Sequence, residues 1–181
     1  MAMQMSLSFR AVRFYLTVLS CSLAASRVAA HEPFDISSRI TIYEDRLELT
    51  STLGADGMRG LLSSAGTSPE KIAESLRSLG PDKPVIHPAK LAAHFFQLTN
   101  NGEPLAVKRI SSVSEGAEIL VTVIFPRPAA GALVARATCY ESVPGLNKGV
   151  LLIEDETDGP LNSAMLSPAR PQLAATVPSK Q

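Results

Sequence analysis

From Ile36 to Leu53 the chain alternates with a period of two. Ile36, Ser38, Ile40 and Ile42 share one face, opposite Ser37, Arg39, Thr41 and Tyr43. After Glu44-Asp45-Arg46 the pattern resumes as Leu47, Leu49, Ser51 and Leu53 against Glu48, Thr50 and Thr52. Successive strand side chains point to opposite faces, so this pattern predicts a β-hairpin with one buried face. The same rhythm returns at Phe95–Leu98, Leu105–Ile110, Ala117–Phe125, Leu133–Tyr140, Val150–Asp155 and Leu161–Leu166. In the third of these, Ile119, Val121, Val123 and Phe125 occupy one face, with Leu120 and Ile124 on the other, which predicts a central strand covered on both sides.

The interruptions agree with strands. Asn100-Asn101-Gly102, Pro126-Arg127-Pro128, Pro144-Gly145 and Asp158-Gly159-Pro160 separate them with residues that accept positive φ or cannot join a ladder. One helix is expected after the first hairpin. Ser68 is suited to the N-cap, Pro69 to the first helical position and Glu70 to the positive end of the dipole. Ile72, Leu76 and Leu79 recur at helical spacing, and Gly80-Pro81 stops the run. A further helical turn is expected from Ala55 to Leu62, against the cost of Gly57 and Gly60. The predicted architecture is mainly β: a seven- to eight-stranded β-sandwich, Ig-like in general form, with a short helical insertion between its second and third strands. The domain is expected to span residues 31–167, with 168–181 a Pro-rich, loose tail.

The first thirty residues read as an export signal. Arg10 and Arg13 supply a positive segment with no acidic neighbour, and Phe14–Ser26 an apolar stretch too short for a bilayer core of about 30 Å. Val28-Ala29-Ala30 then places small residues before a cut between Ala30 and His31. Val18-Leu19-Ser20-Cys21 offers a rival lipid-attachment box, and an uncleaved anchor is the other alternative. The expected location is periplasmic or extracellular.

Removing this leader takes three arginines, leaving fourteen basic against seventeen acidic residues and a net charge of about −3. No Lys/Arg run exceeds two residues, so the chain lacks the stripe that neutralises nucleic-acid phosphates. Ile119–Phe125, the longest apolar run left, is strand-sized, so the mature chain is not expected to span a membrane. With Cys21 gone Cys139 is alone. Alternation places it with Leu133, Ala135 and Ala137, so it is expected in the core of a strand.

Several of these segments together resemble a known family. The residues are His31 with the 35–53 hairpin, the helix, Asn100-Asn101-Gly102-Glu103-Pro104-Leu105, Phe125-Pro126-Arg127-Pro128, Pro144-Gly145 with Asn147, and Val150–Asp155. In sequence rhythm they are similar to the extracytoplasmic N-terminal domain of bacterial membrane proteins of the hydrogenase/urease accessory family, associated with nickel handling. That family continues into several membrane helices, whereas this sequence stops at Gln181. The resemblance implies an exported β-domain found beside metal-handling membrane proteins, and transport is not carried over.

Candidate chemistry is sparse. A freed N-terminal His31 offers an amine and an imidazole, with ordinary pKa values of about 7.7–8.0 and 6.5, which can chelate Cu(II) together. A closed site needs another ligand, for which the histidines are His94 and His87; His31 with His94 is the candidate metal pair. Against this, His87 beside Pro88 reads as surface loop and His94 beside Phe95 as partly buried. Glu154-Asp155-Glu156-Thr157-Asp158-Gly159 starts like a calcium loop, but the position for the closing Glu is Met165, so it reads as a solvated acidic hairpin tip. No G-x-S-x-G, H-E-x-x-H or C-x-x-C motif occurs. The sequence therefore favours a non-enzymatic exported binding or interaction module with an envelope or membrane-protein partner, the alternative being a metal-binding protein centred on His31.

Overall fold

The computed structural model describes residues 36–179, which form eleven strands in two sheets and four short helices. β1 (Ile36–Ile42) and β2 (Arg46–Gly54) make the expected hairpin, with Ile40 opposite Leu49 and Ile42 opposite Leu47. The inward face is the one that alternation assigns: Ile40, Ile42, Leu47 and Leu49 are wholly buried. Its two polar members satisfy each other, Ser51 Oγ donating to Ser38 Oγ at 2.8 Å.

Two helices follow. α1 (Ala55–Ser64) runs two residues past the expected Leu62 and buries more than its partner: Met58, Leu61 and Leu62 are in the core. Its glycines explain why low propensity is tolerated. A Cβ on Gly60 would stand 3.0 Å from Val143 Cγ1, and one on Gly57 3.1 Å from Leu53 Cδ1. The missing side chains let the helix approach Leu53 of β2 and Val143, which lies outside the sheets. α2 (Pro69–Ser78) matches its expected caps and buries Ile72.

β3 (Val85–His87), the four-residue α3 (Lys90–Ala93), β4 (Gln97–Asn100) and β5 (Glu103–Pro104) come next. Asn101 (φ 51°) and Gly102 (φ 87°) form the turn between β4 and β5. The same asparagines brace a second loop. Asn100 Oδ1 accepts from the Ala129 amide and Asn101 Oδ1 from the Ala132 amide, each at 2.8 Å, while both side-chain amides donate to carbonyls of residues 129–132. β6 (Arg109–Glu115), β7 (Glu118–Pro126), β8 (Gly131–Arg136), α4 (Cys139–Ser142), β9 (Gly149–Asp155), β10 (Gly159–Leu166) and β11 (Gln172–Val177) complete the order.

The large sheet runs β10-β9-β1-β2-β7-β6-β3 and the small one β11-β8-β4-β5. Both contribute to one core, Ile40, Leu49, Val123 and Ile153 from the first with Leu98, Leu133 and Ala135 from the second. The result is mainly β and sandwich-like. β1 joins β9 in parallel, Ile36 beside Gly149 through Ile42 beside Asp155, and the rest of the large sheet is antiparallel.

Several expectations need correction. Eleven strands replace seven or eight, because β3 and β5 are too short to show alternation and β11 lies in the supposed tail. β11 pairs with β8 and buries Leu173 and Val177, so the domain runs past residue 167. The 133–140 segment is not one strand. β8 stops at Arg136 and Cys139 begins α4, fully buried but in a helix. The 105–110 segment also divides, its first residues lying outside any strand. β7 is central by strand order, but Leu120 and Ile124 on its second face are only half-buried.

Candidate functional site

His31 lies outside the described residues. His94 is half-buried and caps the C-terminus of α3, its amide donating to Leu91 O at 3.1 Å. Among the described residues no three His, Cys, Asp or Glu side chains come together to hold a metal ion. His87 is not in a surface loop. It sits in β3, 7% exposed, with Nε2 2.7 Å from Ser112 Oγ. The error has a simple cause: Pro88 ends the strand without exposing the residue before it. Burial lowers the His87 pKa, so the ring is neutral near pH 7 and shares one hydrogen bond with the hydroxyl. A serine–histidine contact suits nucleophile activation, but Ser112 is 1% exposed and has no route to a substrate.

A different group of residues converges at the end of the large sheet where β1 and β9 finish. The short turn after Ile42, the β7–β8 connection, the β9–β10 hairpin and the segment after β11 surround an open cavity of about 650 Å³. Its charged lining is Glu44, Arg127, Asp155, Glu156 and Asp158, with Ile42 and Pro178 as apolar neighbours. Arg127 stands between Pro126 and Pro128, whose rings fix their own φ and hold the intervening residue extended. Its Nη1 donates to the Tyr43 carbonyl, and Nη2 lies 3.9 Å from Asp155 Oδ2.

Asp155 is the unusual member. Inward alternation along β9 runs Leu151, Ile153, Asp155, so the carboxylate follows two core aliphatics and is 5% exposed. Oδ1 accepts the Thr157 amide at 2.9 Å and the Asp158 amide at 3.3 Å, which shapes the hairpin turn. Among the described residues Oδ2 finds no hydrogen-bond donor. Arg127 supplies charge from 3.9 Å, beyond the roughly 3.2 Å reach of a hydrogen bond. A buried carboxylate oxygen short of a donor costs about 1–3 kcal/mol or more. It is the most polarised unmet demand in the described domain.

The comparisons give no name to this arrangement. No protein-family model matches the chain, and none of the curated proteins does. The site is therefore read from its own geometry.

Reading 154–159 as a solvated hairpin tip captured Glu156, Thr157 and Asp158, which are exposed, and missed Asp155, which is not. The signal was present: in Leu151-Leu152-Ile153-Glu154-Asp155 the acidic residue at 155 shares parity with the core positions. Arg127 carried no such signal, because its partners come from 84 residues upstream and 28 downstream.

Proposed function

We propose that this chain is an exported, non-enzymatic binding module that works in the cell envelope beside a membrane-associated partner and engages its ligand at the Asp155 cavity. The observation that carries this reading is Asp155 Oδ2: a buried acceptor without a donor, at the wall of an open cavity sized for a small ligand or a partner's side chain. The non-enzymatic part is supported by Ser112–His87, a nucleophile–base contact closed to solvent. The envelope setting is supported by the three-zone leader and by the resemblance to extracytoplasmic domains of nickel-handling membrane proteins. No described helix is long and apolar enough to cross a membrane.

The test is a thermal-shift screen of the exported product against small cations, anions and neutral polyols. Ligand bound to the native state alone raises Tm by mass action, about 2.7 kcal/mol of stabilisation at a hundred times Kd. The reading expects one chemical class to raise Tm in the native chain and not in Asp155→Asn. It fails if no class does so, or if the purified chain turns over a substrate.

A further inference from the structure

We propose that the Asp155 cavity selects a primary ammonium group on an aliphatic stem, and that the ammonium replaces Arg127 as the partner of Asp155 Oδ2; this rests on the binding-module reading above.

Charge gives the sign of the ligand. Among the described residues the lining carries four carboxylates, on Glu44, Asp155, Glu156 and Asp158, and one guanidinium, on Arg127. A concave wall of one predominant sign concentrates counter-ions of the other. An anion would gain Arg127 but meet the surrounding carboxylates.

Hydrogen bonding gives its chemistry. Asp155 is 95% buried by its 5% exposure, and its Oδ2 is the acceptor left over after the hairpin amides have used Oδ1. The group that satisfies it must donate N–H or O–H and preferably carry positive charge, because charge-assisted bonds are roughly twice as strong as neutral ones. An ammonium provides three donors on a compact head. A divalent cation is a poorer fit. It requires six or more oxygens for calcium, or near-octahedral oxygens for magnesium. Among the described residues no three acidic or histidine side chains are grouped to supply them.

Arg127 sets the manner of entry. Oδ2 is shielded from water, and the cation paired with it among the described residues is the guanidinium 3.9 Å away. Its other nitrogen is tied to the Tyr43 carbonyl, which holds the guanidinium at the cavity wall. Two cations thus compete for one oxygen, the resident one held off at a distance and the incoming one able to close to about 2.8 Å. Ile42 and Pro178 offer the aliphatic stem an apolar strip. A volume of about 650 Å³ accommodates a chain of several methylenes.

The experiment is calorimetry of the exported product with cadaverine at low salt, beside sodium glutarate, a neutral pentanediol and calcium chloride. Cadaverine is expected to bind, at least tenfold more weakly in Asp155→Asn and at least threefold more tightly in Arg127→Gln, where the competing cation is gone. If Asp155→Asn fails to fold, the Arg127→Gln and glutarate arms decide. The proposal is overturned if Arg127→Gln weakens cadaverine, if calcium displaces it, or if glutarate or the diol binds the native chain better. In that last case the cavity still binds and only the ligand class is wrong. If none of the probes binds, both this proposal and the binding-module reading fall.

Discussion

Gly149→Ala tests the parallel pairing on which the whole site depends. Gly149 sits opposite Ile36 at the start of the β1–β9 ladder, whose far end is Ile42 beside Asp155. A Cβ there would stand 2.4 Å from Ile36 Cγ2, 2.7 Å from the Ile36 carbonyl oxygen and 2.9 Å from Tyr140 Oη. The side chain of Ile36 can rotate, but its carbonyl belongs to the sheet and cannot move without opening the ladder. Overpacking of this kind costs about 1–3 kcal/mol, and a backbone contact belongs at the upper end. With a urea m-value of about 2 kcal/mol/M, a 3 kcal/mol loss moves the midpoint down by about 1.5 M. The chain has no tryptophan, so unfolding is followed by far-UV circular dichroism. Gly80→Ala is the matched control: nothing lies within 4 Å of its Cβ and its φ is not left-handed. It should be neutral or stabilising by about 0.5 kcal/mol, through the unfolded chain. A Gly149→Ala midpoint within 0.5 M of the parent would refute the close β1–β9 approach.

Other expectations follow from single groups. Burial holds the His87 pKa below its ordinary value, so the stability it contributes is present above about pH 6.5 and is lost as pH falls through the folded value; Tm measured from pH 7.5 to 5 should fall less steeply in His87→Gln than in the parent, and equal slopes would remove His87 as a source. The Cys139 thiol is fully buried and its pKa is pushed up to about 12 by desolvation, so a thiol reagent at pH 8 should leave it unmodified in a native chain beginning at His31 and titrate it in urea. Ending the chain after Pro171 removes β11 and takes Leu173 and Val177 from the core, about 1.5–3 kcal/mol each; an unchanged Tm would make that strand peripheral after all. Copper titrated into a chain beginning at His31 should bind no more tightly than to a short peptide beginning with histidine; tight one-to-one binding, lost when one residue is added before His31, would favour the metal reading.

The hairpin of β1 and β2 was legible because every buried position in it obeys a period of two, and burial on one face is the same rule that generates the pattern. Cys139 shows the limit of that rule. Its parity with Leu133, Ala135 and Ala137 correctly implied burial, yet the chain leaves the strand at Arg136 and buries the thiol from a helix, since parity alone does not say where a strand ends. β11 was illegible because Pro168, Pro171 and Pro178 bracket its six residues and made the segment read as loose. α1 was undervalued because glycine propensity is a local quantity, whereas the 3.0 Å approach of Gly60 to Val143 is tertiary. Half of the candidate site, Asp155, lay within reach of the alternation in β9. The other half, Arg127, depended on four connections meeting at one end of the sheet, and no local pattern encodes that.

The most direct measurement of the central claim is an amide chemical-shift map of the isotopically labelled chain, beginning at His31, as cadaverine is added. The Thr157 and Asp158 amides donate to Asp155 Oδ1, so a donor arriving at Oδ2 must change both. Binding at the cavity predicts the largest shifts at the amides of Thr157, Asp158 and Arg127, with His87 and Ser112 unmoved. Saturable shifts centred elsewhere, with Thr157 and Asp158 silent, would contradict it.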